Sequence, residues 1–288
     1  MRSAQQDTGT DTGIMAFRMG LVGRGIRLSR TPAMHEAEAD AQGLKCRYDL
    51  LDTEAGTDGS LAEILDRAEN AGYAGLNVTY PYKQDVIAHL HQLSDAAKRI
   101  GAVNTVVFRD GRRFGHNTDF WGFSESLRRG LSNANLDSVL LIGAGGAGAA
   151  LGHALADLGV TRLMIADTRT EVAQALALGV GPVATAVSNL AEAASACDGI
   201  VNATPVGMAK LPGTPIDAKL LSERHWVADI VYFPLETAFL KAARATGCRT
   251  LSGEGMAVFQ AVRAFELFTG RPADPDRMRQ TFRHLGEA

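Results

Sequence analysis

Residues 139–148 read Val-Leu-Leu-Ile-Gly-Ala-Gly-Gly-Ala-Gly, and an alanine-rich run follows as far as Gly159. An apolar tetrad, a Gly-x-Gly-x-x-Gly turn and a helix-forming run constrain the fold more than any other stretch. Val139–Ile142 offers no polar face to water, so it suits a parallel strand covered on both sides. Gly143 permits a tight turn, and Gly145 lets the backbone approach a pyrophosphate. Gly148 lets the following helix, expected at Ala149–Leu158, pack closely on the strand. Amide hydrogens at the start of that helix, and its dipole, favour phosphate. Gly143, Ala144, Gly145, Gly146, Ala147 and Gly148 are therefore candidate dinucleotide contacts. Asp167 ends the next expected strand, 24 residues beyond Gly143. A carboxylate there accepts hydrogen bonds from adenosine ribose hydroxyls and repels a 2′-phosphate, which favours NAD over NADP. Arg169 either softens that preference or points to solvent.

The rest of the chain is consistent with this kind of fold. Its 288 residues suffice for one large or two ordinary domains, and a 46% hydrophobic content fills a core. A net charge of −3 without basic runs gives no field for nucleic acid or anionic membrane. The longest apolar stretches are strand-sized, far short of a membrane span. Cys46, Cys197 and Cys248 are widely spaced and form no Cys-x-x-Cys pair. They read as small buried hydrophobes of a reducing compartment, and a cytoplasmic location is expected. Residues 1–14 are polar, lack the basic end and apolar run of a signal peptide, and are expected to form a disordered tail.

Element signals alternate. Strands are expected at Ala16–Val22, Arg47–Leu51 and Gly75–Val78, and helices at Ala33–Gln42, Leu61–Ala71, Gln84–Leu90 and Ser94–Ile100. Val103–Phe108 and Arg112–Phe114 flank Asp110-Gly111, a strong hairpin signal. Phe120–Arg129 reads as a connecting helix. Beyond the glycine loop come a strand at Arg162–Ala166, a helix at Thr170–Leu178, and strands at Gly199–Asn202, Val227–Val231 and Arg249–Leu251. Helices at Met256–Phe268 and Asp276–Leu285 close the chain and are expected to cross back to its first half. The fold expected is α/β, with an N-terminal α/β substrate-binding domain, a doubly wound Rossmann-type domain, and a cleft between them. The boundaries are 15–118 with 256–288 for the first, and 119–255 for the second.

Polar turns sit where strands and helices end, the usual place for binding groups in such folds. Asn77-Val78-Thr79-Tyr80-Pro81-Tyr82-Lys83 puts a lysine outside the nucleotide half. Ser29-Arg30-Thr31-Pro32, Gly101–Thr105 and Gly115–Asp119 are similar clusters. Taken singly, Lys83 is as readily a surface lysine and Asp119 a helix cap. His35, His116 and Met34 belong to no histidine–carboxylate cluster at metal spacing, so no metal is expected. Trp121 and Trp226 suit packing better than binding.

With these motifs in order, the chain resembles the shikimate/quinate dehydrogenase family over nearly its whole length. The set is Ser-x-Thr-Pro-x-Met-His (29–35), Asn-Val-Thr-x-Pro-x-Lys (77–83), Gly-Ala-Val-Asn-Thr (101–105), Asn-Thr-Asp (117–119) and the glycine loop. Asn-Ala-Thr-Pro-x-Gly-Met (202–208), Tyr232-x-Pro234-x-Glu236-Thr237 and Gly253-x-Gly255-Met256-x-x-x-Gln260 complete it. The resemblance implies that Lys83 and Asp119 form a catalytic pair. It implies that Ser29, Thr31, Asn77, Thr79, Asn104, Tyr232 and Gln260, with the pair itself, contact the substrate's hydroxyls and carboxylate. Thr204, Val206, Ile230, Gly253 and Met256 would form the nicotinamide-side wall. Lys83 could relay the hydroxyl proton when neutral, or stabilise charge on oxygen when protonated, and Asp119 could orient both lysine and hydroxyl.

Two departures from the common shikimate dehydrogenase pattern are informative. Thr31 replaces the second serine of the first motif, and Asp167-Thr168-Arg169-Thr170 replaces the usual NADP signature, with Val172 where a later arginine would stand. Both resemble the NAD-dependent quinate/shikimate branch. The resemblance implies reversible hydride transfer between NAD and the ring C3 hydroxyl of quinate or shikimate, by a monomer or homodimer. The rivals are an NADP-dependent biosynthetic shikimate dehydrogenase, an aminoshikimate-type paralogue, and, from another class, a nucleotide-sensing protein without catalysis.

Overall fold

In the computed structural model two six-stranded sheets carry the fold, and the described residues are 16–56 and 59–285. The tail expected at residues 1–14 lies outside them. The first half runs β1 (Ala16–Gly23), α1 (Thr31–Ala41), β2 (Lys45–Asp52), α2 (Leu61–Asn70), β3 (Gly75–Val78), β4 (Gln92–Leu93), α3 (Asp95–Ile100), β5 (Thr105–Arg109) and β6 (Arg112–His116). Its sheet order is β2-β1-β3-β5-β6-β4. β1 lies parallel to β2 and β3, whereas β5 runs antiparallel to β3 and to β6. The β5–β6 turn is the Asp-Gly hairpin, with φ of 52° at Asp110 and 67° at Gly111. Both residues of a type I′ turn need such positive values.

The second half continues through α4 (Thr118–Gly130), β7 (Ser138–Ile142), α5 (Gly146–Asp157), β8 (Arg162–Ala166), α6 (Thr170–Val180), β9 (Ala184–Ala186), α7 (Leu190–Ser195), β10 (Gly199–Asn202), β11 (Trp226–Asp229), α8 (Ala238–Ala245) and β12 (Arg249–Leu251). Every pair in this sheet is parallel, in the order β12-β11-β10-β7-β8-β9. Counting from β7, this is the 3-2-1-4-5-6 order of a dinucleotide-binding sheet, and its switch point falls between β7 and β10. β7 is fully buried along its length, as its apolar run requires.

α9 (Glu254–Thr269) and α10 (Pro275–His284) return to the first half. Ala257, Val258, Ala261, Val262 and Phe265 of α9, with Met278 and Phe282 of α10, share a core with Met34 and Ala39 of α1. α4 leads out of the first sheet and α9 leads back, and the two touch backbone to backbone. A Cβ on Gly122 would come within 2.8 Å of Gln260 N and Met256 O, and one on Gly255 would overlap Ser126 Oγ. This close approach packs Gly122, one turn beyond Asp119 on α4, against Met256 and Gln260 on α9.

Some local expectations need correction. The helix expected at Gln84–Leu90 is a short 3-10 turn, Asp85–His89, because Ile87 N and Leu90 N bond three residues back and the chain then joins β6 as β4. β4, β9 and α7 are too short for a periodic signal. α8 was legible and was missed: Thr237 caps Leu240 N, and an Ala/Leu-rich run ends before Gly247. Among the described residues no helix is long and apolar enough to cross a membrane.

Candidate active site

Lys83 lies on a turn whose two ends are tied to the first sheet. Thr79 N donates to Val22 O at 3.0 Å, and Val103 N donates to Lys83 O at 2.7 Å. Tyr82 Oη adds a bond to Thr53 Oγ1 at 2.9 Å. With its backbone so held, Lys83 reaches across to α4, and Nζ lies 2.6 Å from Asp119 Oδ2. Their side chains are 21% and 9% exposed, so the pair is largely withdrawn from water and screened little by salt.

Asp119 is not the helix cap. Asn117 caps α4, accepting from Phe120 N at 3.1 Å, which leaves the Asp119 carboxylate free to meet Lys83. The chain just before Asp119 is locked by Asn104. Its Oδ1 accepts from Thr118 N at 2.7 Å, and its Nδ2 donates to Thr118 Oγ1 at 3.0 Å.

Asn77 is 4% exposed and already engaged inside the protein. Tyr48 Oη donates to its Oδ1 at 2.8 Å, and its Nδ2 donates to Thr105 Oγ1 at 3.0 Å and to Asn104 O at 3.3 Å. Both amide hydrogens are thereby used, so Asn77 supports Asn104 while keeping an acceptor lone pair. Sequence reasoning missed Tyr48. The signal lay in β2, where Cys46, Tyr48 and Leu50 alternate onto one face.

Ser29 and Thr31 bond to each other, Ser29 Oγ to Thr31 Oγ1 at 3.1 Å, at the start of α1, where the N-cap Arg30 makes no side-chain cap bond. The Arg30 guanidinium sits 4.7 Å from the Phe282 ring and donates to Phe282 O at 3.0 Å. Tyr232 packs edge-on against Phe282, with ring centroids 6.1 Å apart. Desolvation by the surrounding side chains raises its phenol pKa above the ordinary value although 44% of the residue meets solvent, which tempers the rise; Lys83 opposes it, Asp119 adds to it and Arg30 opposes it. Tyr232 therefore lies within electrostatic reach of the pair, on a loop of the other half of the chain. Gln260 Nε2 donates to Ala257 O at 3.1 Å.

Across the cleft, α5 begins within the glycine loop, at Gly146, three residues before the expected Ala149. The early start brings the Gly146–Gly148 amides into the first helical turn, the position that favours an anion. Gly143 has a φ of 102°, and a Cβ on Gly148 would overlap Gly143 O. A Cβ on Gly146 would stand 3.8 Å from Lys83 Cδ, so the loop and the lysine face each other directly.

Asp167 Oδ2 accepts from Ala144 N at 2.8 Å, and its Oδ1 accepts from Arg169 N at 2.9 Å. Burial alone would raise its carboxyl pKa. The Arg169 and Ala144 amides and the nearby Arg169 guanidinium together hold it below the usual carboxylate value. Arg169 is 66% exposed, with Nε 3.9 Å from Asp167 Oδ1. Oδ1 also accepts from Thr168 Oγ1 at 3.4 Å; Asp167 thus stays anionic, anchored at the end of β8, and Oδ2 retains a lone pair for a hydroxyl.

The expected nicotinamide-side residues gather on three neighbouring segments. Thr204 N and Oγ1 donate to Asn202 Oδ1 at 3.0 and 2.7 Å, and Val206 N donates to Thr204 Oγ1 at 3.1 Å. Gly253 packs against Ile230, where a Cβ would lie 2.7 Å from Ile230 C. Met256 follows in the first turn of α9 and is 9% exposed. Among the described residues no group of three or more His, Cys, Asp or Glu side chains is arranged to hold a metal.

Known proteins match this architecture. Residues 21–106 match the family described as shikimate dehydrogenase substrate binding domain, and residues 253–281 the shikimate 5'-dehydrogenase C-terminal domain. A quinate/shikimate dehydrogenase (NAD(+)) of Corynebacterium efficiens is 48% identical over 277 residues, 93% of this chain and 98% of that one. A shikimate dehydrogenase (NADP(+)) of Pseudarthrobacter chlorophenolicus is 49% identical over 280 residues, covering 94% and 95%. The solved structure of quinate dehydrogenase from Corynebacterium glutamicum in complex with NAD superposes with a TM-score of 0.90 at 48% identity, covering 93% of this chain and 99% of that one.

Proposed function

The chain belongs to the shikimate/quinate dehydrogenase family, and within it we propose that it oxidises the ring C3 hydroxyl of quinate and shikimate with NAD. The observation that carries the chemistry is the Lys83–Asp119 pair, 2.6 Å apart and facing the start of α5. The substrate half comprises residues 15–118 with 256–288 and the cofactor half residues 119–255, a division supported by the packing of α9 and α10 on α1. A dinucleotide held by the glycine loop and Asp167 would supply the hydride acceptor. Lys83 Nζ in its neutral form accepts the hydroxyl proton during oxidation and, as the ammonium, returns it during reduction, and Asp119 orients Nζ and the hydroxyl together. Ser29, Thr31 and Tyr232 hold the carboxylate, with Thr79, Asn104 and Gln260 on the ring hydroxyls. The tie between Asn77 and Asn104 keeps Asn104 in register.

The glycine loop suits a dinucleotide, since side chains at Gly143 and Gly148 would collide with their neighbours. Gly148→Ala is therefore expected to weaken NAD binding by at least ~10-fold, since the loop must open to admit one methyl. Calorimetric titration of the purified variant with NAD checks this, and wild-type affinity would count against the loop as the cofactor site.

Relatives named for NAD and for NADP stand at nearly equal identity, so overall similarity does not choose the cofactor. Asp167 does, because its anion would face a 2′-phosphate at a cost of about a few kcal/mol. Arg169, at 3.9 Å from that carboxylate, is the observation favouring the second reading, NADP use. Asp167→Asn is expected to raise kcat/KM for NADP by about tenfold or more while lowering that for NAD. An unchanged NADP/NAD ratio would remove Asp167 from cofactor selection.

A further inference from the structure

Asp229 ends β11 with its side chain 1% exposed. Its Oδ1 accepts from Asn202 Nδ2 at 2.9 Å and from Val231 N at 3.0 Å, and its Oδ2 accepts from Thr237 Oγ1 at 2.7 Å. Each partner belongs to a different segment. Asn202 ends β10, and besides receiving both Thr204 bonds it donates to Val206 O at 3.0 Å. Val231 begins the loop that carries Tyr232. Thr237 caps α8 by accepting from Leu240 N at 3.2 Å. The loop above passes close by, since a Cβ on Gly207 would stand 3.8 Å from Asp229 Oδ2. One buried carboxylate thus joins the 202–207 loop, the 229–232 loop and the start of α8.

We propose that Asp229 is a positioning residue for hydride transfer, fixing through Asn202 and the Val231 amide the two loops that wall the nicotinamide end of the cofactor site. This rests on the reading of Thr204, Val206 and Ile230 as that wall. Asp229 touches none of the Asp167 and glycine-loop groups that would hold the adenosine and pyrophosphate end. The 202–207 loop it anchors does pack on the glycine loop, where a Cβ on Gly143 would lie 2.8 Å from Ala203 C, but Ala203 N is held separately by Ile142 O at 2.7 Å, so the loss of Asp229 is expected to disturb the nicotinamide end far more than the adenosine end.

The chemistry of the hub separates position from charge. In Asp229→Asn the side-chain oxygen still accepts from Asn202 and Val231. The new amide can then donate to Thr237 Oγ1, which keeps a lone pair for Leu240 N, although the Thr237 O–H must turn away from its former acceptor. Asp229→Ala removes all of these bonds and leaves Asn202 and Thr237 without their buried partner.

The test compares both variants of the full chain in steady-state kinetics with NAD, alongside calorimetric binding of ADP-ribose, which lacks the nicotinamide ring. Asp229→Ala is expected to lower kcat/KM for NAD by about 10- to 100-fold, as for a misplacement of the order of an ångström. Its ADP-ribose Kd should stay within about twofold, and Asp229→Asn should recover most of the lost activity. Equal losses of NAD turnover and ADP-ribose affinity, unaltered kinetics in the alanine variant, or an asparagine variant as impaired as alanine would each overturn the proposal. If Asp229→Ala does not fold, Thr237→Val decides, because it breaks the Oδ2 bond of the hub together with the Thr237 cap on Leu240 N while leaving the Asn202 and Val231 bonds in place. The same one-sided loss in smaller measure supports the proposal, and its absence refutes it. A wild-type chain without NAD turnover would instead refute the functional reading itself.

Discussion

Replacing Lys83 with alanine is expected to lower kcat by roughly 10²–10⁴-fold while leaving the Kd for NAD within about threefold. The lysine is held at both ends of its turn and stands 2.6 Å from Asp119, so its Nζ has one defined place in the cleft. A group so placed contributes to proton movement at the substrate hydroxyl and little to the affinity for the cofactor. The substitution also strips a largely buried carboxylate of its partner, an expected loss of about 1–3 kcal/mol in stability. Activity is therefore to be expressed per folded molecule. Asp119→Asn should lower kcat similarly and raise the substrate KM more. The double variant should lose no more than the worse single one, because the two act as a unit. A Lys83→Ala enzyme with near-normal kcat removes the lysine from the reaction, and additive losses in the double variant would mean that the two act separately.

The second large effect concerns stability in acid. His35 is fully buried in α1, and among the described residues neither ring nitrogen has a hydrogen-bond partner. Its ring lies among Tyr48, Phe265 and Phe268, at centroid distances of 4.9, 5.9 and 6.2 Å. Burial pushes its pKa down to about 3. The unfolded chain takes up a proton near the ordinary value of about 6.5. Between those values the unfolded state binds a proton that the folded state refuses. Stability is thus unpenalised above pH ~6.5 and falls as the pH drops towards ~3, at up to about 1.4 kcal/mol per pH unit from this group. His35→Leu removes the proton site and two unpaired buried polar atoms. Urea unfolding at pH 6.5 and pH 5 should show the wild type losing about 2 kcal/mol more than the variant over that interval. Equal losses would show that His35 is not kept neutral by the fold.

The fold was legible where one short stretch decides its own structure. β3, β8, β10 and β12 fall on their expected residues, because each is an apolar or β-branched run bounded by glycine or polar punctuation. The glycine loop points to a doubly wound Rossmann-type domain, and the structure supplies its strand order. Boundaries failed where a cap sits outside the apolar pattern. α4 begins at Thr118 because Asn117 caps it, and α5 begins inside the glycine loop. Lys83 and Asp119 were read as a pair only by resemblance, since nothing local links residues 36 apart. The supports were least visible. Tyr48 meets Asn77 across 29 residues, and Asp229 meets Asn202 across 27, so both contacts exist only once the sheets have formed. Asn77 stands in sequence where an expected strand meets a polar turn, and only the folded sheet turns its amide inward to Asn104 and Thr105.

We expect this chain to oxidise cyclic hydroxy acids with NAD. The most direct measurement is kcat/KM for quinate and shikimate, each with NAD and with NADP, on the purified chain. Both acids should be turned over with NAD, at a kcat/KM at least about tenfold above that with NADP, the factor expected from an anion facing the 2′-phosphate. A higher kcat/KM with NADP, or shikimate turnover without measurable quinate oxidation at saturating NAD, would contradict it.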